Sequence, residues 1–513
     1  MNKKRLFAVL MCVAMIASLF TACGGGATSN EDAAKTVTIA MADEFTTIDP
    51  METSAETNQI VQDLIFDMLT DTDLTKMENA GELLESWEMI SPTEWNFKLK
   101  EGVMFSDGTE CNVDDVFFTF ERGKEHSAAS GYIAKMESWE KVDDYNFTIK
   151  LVGAGDVDFN YTFAANQLSI FSKEAFETMP EEEAILVGTG LYKLDEFVSG
   201  DHVTLVRSET CTLYEPTNVE KIVFKMMPEA SSRMIALENG EVDLIMSPDA
   251  TDYTRLQETE GLQLLKETGR TQHFICFNQK NADSIVTDPT FRLACAYAID
   301  KDEMIVAAWD GNAVKSTSVQ CRDVEFYVDL EGIPYDPEKA AELFEECGAV
   351  GKTISLVTSD AAHRVKIAEN FQAQMAEYGI TISCEFMQQA ALMELCTSDG
   401  TTSGTEIIVM SWTPGKNGDY MYRNTTHSTG GRNYAQYNDP ALDALIDKAA
   451  GCEDKVERAA LYKELQETLT YDVVGWIPIA QHTIYMGSND RVEGVLLHPA
   501  LVHSFKFINI VEE

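Results

Sequence analysis

Phe105-Ser-Asp-Gly-Thr-Glu-Cys-Asn-Val-Asp-Asp-Val-Phe-Phe-Thr-Phe120 gathers a serine, a cysteine, three aspartates and a glutamate into one turn-prone segment. It could be an active site, a metal loop or scaffold. A helix-loop-helix calcium loop counted from Asp107 needs oxygen ligands at its third and fifth positions and glycine at its sixth. Those positions hold Thr109, Cys111 and Asn112, so it fails. Cys111 has no histidine near it in sequence, and Ser106 lacks the Gly-x-Ser-x-Gly elbow. What remains is mechanical. Asp107-Gly108 reads as a turn after a strand around Val103 to Phe105, with glycine free to take positive φ. Asn112 is placed to cap a helix, and Asp114 and Asp115 fall in its first turn, where the dipole favours anions. Val116, Phe117 and Phe120 recur at core spacing.

Elements of both periods surround it. Thr36-Val-Thr-Ile-Ala-Met41 alternates as a strand, as do Trp95 to Leu99 and Tyr145 to Leu151. Glu56 to Leu69 places Ile60, Leu64, Ile65, Met68 and Leu69 at helical spacing. Ala361 to Tyr378 reads as a helix stopped by Gly379, Thr381 to Phe386 as the following strand, and Pro440 to Ala450 as a helix after the turn at Asn438-Asp439. The whole is an α/β rhythm without internal repeats.

With 513 residues, 45% of them hydrophobic, the chain can bury cores for two or three domains. Lys+Arg 39 against Asp+Glu 85 gives a net charge of −46, which repels phosphate backbones and excludes nucleic acid as a natural partner. Lys3, Lys4 and Arg5 precede an uncharged apolar run from Leu6 to Phe20, the pattern of a signal peptide over residues 1–22. Phe20-Thr-Ala-Cys23 then looks like a bacterial lipobox, in which the Cys23 thiol takes a diacylglyceryl group and becomes the mature N-terminus. Two acyl chains suffice for a stable membrane anchor. Residues 23–36, rich in Gly, Ala, Ser and Thr, read as a flexible tether. Nine cysteines remain beyond Cys23, from Cys111 to Cys452, with no Cys-x-x-Cys pair. Several sit within apolar runs and are expected to be structural thiols.

Leu84-Glu-Ser-Trp87 and Trp95 onward to Thr109 and Asp115-Val116 resemble family 5 of the bacterial extracellular solute-binding proteins, the oligopeptide-, dipeptide- and nickel-binding components of ATP-driven importers. Further blocks follow in order: Ile48-Asp-Pro50, Val187-Gly-Thr-Gly-Leu-Tyr192, Ala236 to Asp243, Phe277-Asn278, Phe291 to Asp300, Tyr335 to Ala340 and Trp476-Ile-Pro-Ile479. The resemblance spans essentially the whole mature chain. It implies a two-lobed periplasmic-binding-protein-like α/β fold with a hinge and an extra subdomain on the N-terminal lobe. The N-terminal lobe maps to 37–280, with its subdomain at about 76–190, the second lobe to 281–479, and 480–513 returns to the first. Crossings are expected near Phe277 to Asn281 and Ile477 to Gln481.

The same resemblance implies the ligand contacts. In peptide-binding members an aspartate shortly after a tryptophan, in a Trp-x-x-Asp-Tyr pattern on the second lobe, pairs with the peptide's α-amino group. Here the matching stretch runs from Ser411-Trp412 to Asp419-Tyr420 and carries four extra residues between tryptophan and aspartate. A buried carboxylate suits an ammonium through charge-assisted bonds. Trp412 and Tyr420 either wall the cleft or plug the core. Arg364 sits near where dipeptide-binding relatives place a carboxylate-holding arginine, and Arg432 is the alternative clamp. Glu44 and Phe45 follow the first strand at the end that faces the cleft in this architecture.

Other classes fit less well. The eight histidines are isolated along the sequence and form no ligand cluster, which disfavours direct metal binding. Gly188-x-Gly190 lacks a third glycine and Gly415-Lys416 the rest of a phosphate loop, so no enzyme motif survives. The expected function is capture of di- or oligopeptides for a membrane permease by a monomeric, lipid-anchored extracytoplasmic protein without cofactor. A nickel complex or an oligosaccharide is the alternative ligand.

Overall fold

The computed structural model describes residues 35–73, 78–153, 156–280, 282–397, 405–415 and 417–511. The expected signal segment, Cys23 and the tether as far as residue 34 lie outside the described residues. No helix among the described residues is long and apolar enough to cross a membrane.

One 11-stranded sheet runs through the molecule. Its central strand, Thr36–Met41, lies parallel to both Lys221–Met226 and Leu244–Met246. Two long antiparallel strands, Leu262–Phe277 and Trp476–Asn489, join this half to the strands Ile407–Trp412, Thr353–Ser359 and Thr381–Met387. Ladder pairing between the long strands breaks between Thr268 and Gln272. Upstream the first long strand has only the second as a partner, whereas from Gln272 onward it also pairs with Ile407–Trp412. Gly269 in the break lies so close to the other long strand that a Cβ would stand 2.7 Å from the His482 carbonyl oxygen. The change of partners falls at Gln272, opposite Gln481. The two sides of this break carry separate hydrophobic cores. One contains Val37, Phe105, Phe147, Phe224 and, from the chain's end, Met486 and Phe505. The other side has two, one around Phe291, Phe344 and Ile367 and one around Phe274, Tyr422 and Trp476.

The opening segment is scaffold. Gly108 has φ +89°, the Gly108 N–H donates to the Phe105 carbonyl, and only an isolated bridge, Met104 to Glu110, replaces the expected strand there. Asn112 caps the helix Val113–Gly123: its side chain accepts from Asp114 N–H at 2.8 Å, and Asp115 accepts from Asn112 N–H at 2.9 Å, a full capping box. The helix packs Phe120 against Phe163, at 5.8 Å between centroids, over a four-stranded antiparallel sheet that includes Glu94–Leu99 and Asn146–Leu151.

Other family blocks are packing devices as well. Cβ atoms at Gly188 and Gly190 would stand 2.0 Å from the Ile65 and 2.5 Å from the Leu64 carbonyl oxygens. The Gly190 and Tyr192 N–H groups donate to those two carbonyls. This explains why the helix expected over Glu56 to Leu69 ends at Gln62: carbonyls used across the chain cannot close helical turns. Asp49 meets Arg122 at 2.5 Å, with both side chains nearly buried. Asp243 accepts from Thr38 N–H at 2.8 Å and from Arg491 at 2.8 Å, tying the central strand to the chain's end. All nine described cysteines are free thiols; Cys111, Cys276 and Cys295 are buried, and burial pushes their thiols well above the usual value.

Candidate functional site

A cavity of about 370 Å³ opens between the two sides of the sheet. Glu56, Asp63, Asp71, Tyr132, Lys135, Tyr161 and Asn166 line it from the first lobe. The second lobe contributes Thr413 to Gly415, Asn417 and Tyr420, and the break in the long strand contributes Arg270. Thr271 and Thr413 hydroxyls meet at 2.8 Å, fixing the second lobe's loop to the long strand beside Arg270. Asn417 caps the helix Gly418–Thr425 by accepting from Tyr420 N–H at 2.8 Å, and this points the helix start at the cavity.

Arg270 is 3% exposed. Its Nε donates to Asp323 at 2.5 Å, while its Nη2 is buried with no hydrogen-bond partner among the described residues. Asn166, 6% exposed, likewise buries Oδ1 without a donor. Neither carried a sequence signal: Arg270 follows Gly269 in a strand that mixes polar and apolar residues.

Of the residues nominated from sequence, Tyr420 lines this cavity. Trp412 stacks behind it, 6.0 Å between ring centroids. Asp419 lines an adjoining cavity of about 240 Å³, shared with Lys135, Asp156, Arg423 and Asp447. Its carboxylate lies 3.4 Å from Arg423 Nε, one turn along the same helix. Burial outweighs that cation and pushes Asp419 up to about 6. Arg364 is buried and committed to Ser359 (3.1 Å), Gln389 (2.6 Å) and Ser411 (2.7 Å). Arg432 stands apart on a loop, half-buried, held by its N–H on the Asn424 carbonyl. Phe45 is fully buried edge-on to Phe197 at 5.1 Å, and exposed Glu44 accepts from the Ser199 hydroxyl at 3.0 Å. Neither lines the cavity.

The histidines, isolated along the chain, are not isolated in space: His273 Nε2 lies 3.1 Å from His482 Nδ1, and the His363 ring centroid 5.0 Å from that of His273. Burial lowers all three below the usual imidazole range, His363 to about 4. Among the described residues, Asp63, Asp71 and Glu82 form the one group of carboxylates close enough to share a cation. The Lys506 ammonium already stands there, 3.1 Å from Asp63 and 2.5 Å from Glu82.

Two lobes, a pair of long strands crossing between them and a cavity at the crossing describe a protein that encloses a solute. Residues 79–434, more than half of the chain, match the family described as bacterial extracellular solute-binding proteins, family 5. The chain belongs to this family. It is a binding protein, not an enzyme. The heme-binding protein A of Haemophilus influenzae is 27% identical over 466 residues, covering 83% of each chain. The dipeptide-binding protein of Escherichia coli is 25% identical over 485 residues, covering 87% of this chain and 89% of the relative. Among solved structures, the transporter substrate-binding protein CtaP of Listeria monocytogenes superposes with a TM-score of 0.82 at 21% identity, over 93% of this chain and 99% of that one. The likeness fixes the two-lobed fold.

Proposed function

We propose that this chain captures small peptides in its inter-lobe cleft and delivers them to the membrane permease of an ATP-driven importer, as a monomer held at the extracytoplasmic face by lipid on Cys23. One observation carries the ligand reading: a single cavity presents Arg270 and Lys135 together with Glu56, Asp63 and Asp71. Charges of both signs suit a zwitterion, whose two ends each gain a charge-assisted bond. The E. coli relative named for dipeptides points the same way. In this reading the ligand's amino end faces the carboxylates of the cleft, with Asp419 beyond Lys135 in the adjoining cavity, and Tyr420 backed by Trp412 forms a wall.

Native mass spectrometry of the gently purified protein tests the ligand. A co-purifying species that fragments into amino acids is expected; a sugar or a nickel complex in its place would overturn the reading. Anchoring has its own test. Cys23→Ser should abolish lipidation and leave the precursor uncleaved or miscleaved, with any miscleaved chain released to the medium. A variant that is processed and partitions into detergent like wild type would refute the anchor.

A further inference from the structure

Three histidines meet at the break in the long strands. His273 follows Gln272, where the first long strand takes on Ile407–Trp412, and His482 lies on the second long strand with its carbonyl against Gly269. His273 Nε2 and His482 Nδ1 stand 3.1 Å apart, close enough to share one proton across the crossing. His363, from the helix Ala362–Glu377, sets its ring edge-on to His273 at 5.0 Å. Trp309 packs against both, 4.7 Å from His273 and 6.0 Å from His363 between centroids. His273 is 2% exposed, and its Nδ1 is buried with no hydrogen-bond partner among the described residues. The neighbours offer nothing to offset a positive charge. Arg364, next to His363 on its helix, is itself a cation and acts on both His273 and His363. The helix Lys301–Trp309 presents the uncharged Trp309, and the strand Ile407–Trp412 places Ser411 opposite His273, where its hydroxyl already accepts from Arg364 at 2.7 Å. Ala313 pairs with His482, while Lys315 of the same short strand reaches away to Asp302 at 2.7 Å. No carboxylate among the described residues bears on the trio.

We propose that this trio is an acid-sensitive release built into the hinge: proton uptake parts His273 from His482 and frees the two long strands at their crossing. Neutral rings hold because one facing nitrogen donates and the other accepts. A first proton places an imidazolium in a dry site beside Arg364, and a second turns both facing nitrogens into positively charged donors. Rings held neutral in the closed crossing bind fewer protons than rings released to water. The crossing is therefore at full strength above about pH 6.5, the ordinary imidazole value, and weakens as pH falls towards the lowered values of the buried rings. The raised acids of the cleft act in the opposite sense. Glu56, pushed up to about 7, and Asp71 and Asp419, pushed up to about 6, hold their protons more tightly in the folded protein, so acid strengthens what they contribute. A solute favours the closed state because both lobes touch it there. Loosening the segment about which the lobes turn speeds release into an acidified exterior, whichever solute the cleft holds.

Hydrogen exchange of the purified protein, corrected for the intrinsic exchange rate, reads opening at the crossing segment by segment. Between pH 6 and pH 5 the segments 268–277 and 480–485 of wild type should open about a hundred-fold more readily, ten-fold for each of two protons taken up. The helix Val113–Gly123, far from the trio in the other core, should show no such rise. His273→Gln and His482→Asn each keep a neutral polar group near the lost nitrogen and remove its titration, so each should cut the rise to about ten-fold. Exchange at the crossing that does not change with pH, a rise shared equally by Val113–Gly123, or a rise that neither substitution reduces would overturn the proposal. Imidazole resonances of histidine-labelled wild type supply an arm that needs no variant, should either one misfold. Three rings should titrate well below the ordinary imidazole range; all eight titrating within it would overturn the proposal as well.

Discussion

Lys506→Met is expected to destabilise the protein by about 3–5 kcal/mol at neutral pH, the usual result of removing one partner from a buried charge cluster. Lys506 is 3% exposed and lies 3.1 Å from Asp63, 3.4 Å from Asp67 and 2.5 Å from Glu82. The Tyr214 hydroxyl stands 2.6 Å from both Asp67 and Glu82. A phenol has one proton to give, so the second of those contacts needs a proton from a carboxyl. Glu82 is the group to supply it, because burial drives its pKa well above the ordinary value despite Lys506. Burial likewise pushes Asp71 up to about 6.

The sign of the pH dependence follows. An acid with a raised pKa in the folded state binds more protons folded than unfolded, so its stabilising contribution is complete below about pH 4 and is lost as pH rises through the folded pKa. Without the ammonium, the ionised cluster is worse off still. The deficit of Lys506→Met should therefore be largest at pH 7.5 and should shrink at pH 5, where more of the carboxyls are protonated. Urea unfolding of both proteins at the two pH values checks this. A deficit under about 1 kcal/mol at pH 7.5, or one that grows on acidification, would show that Lys506 does not neutralise the cluster.

Asp158→Asn should weaken ligand binding by about thirty-fold or more, mainly through faster release, while leaving the folded lobes intact. Asp158 precedes the short helical turn Phe159–Ala164, and Arg458 lies on the helix Lys455–Glu467. The two are each 5% exposed and form a two-pronged ion pair, Nη1 to Oδ1 at 2.8 Å and Nη2 to Oδ2. Arg458 also lies 5.1 Å from the Phe326 ring centroid. This pair bridges the lobes directly, and lobe opening would return both groups to water. Asn keeps the shape and removes the charge, which leaves a buried guanidinium without its counter-ion only in the closed arrangement. That penalty, about 2–5 kcal/mol, falls on closure, so part of the ligand's binding energy is diverted to it. Stopped-flow release kinetics and small-angle scattering with saturating ligand would show it as a faster off-rate and a larger radius of gyration. Unchanged release and an unchanged radius would mean that the pair does not govern closure.

The outcome at Glu56 to Leu69 shows where local reading stops. Helical spacing there is real, and Glu56–Gln62 is helical. Beyond it the chain passes through a turn at 63–65 into irregular structure, and Leu64 and Ile65 give their carbonyls to Tyr192 and Gly190, partners over 120 positions away that no periodicity reveals. By contrast the capping box at Asn112, the helix Ala362–Glu377 ended by Gly379 with φ +72°, and the strand Thr381–Met387 that follows it were all legible. Caps, turns and alternation are set by residues within a few positions of one another.

The sequence by itself determined the α/β class, the family and most elements, since caps, turns and alternation need only residues within a few positions of one another. Only the tertiary structure decided which charged side chains meet. Lys506 meets Glu82 across 424 positions and Arg458 meets Asp158 across 300. Arg270 becomes a buried, half-satisfied cation only where two long strands cross, while Asp419, the residue the family pattern singled out, comes to rest on Arg423 in the cavity next door. Burial and pairing, which give a charged side chain its role, depend on which distant segments cover it, and a single chain read in order does not contain that information.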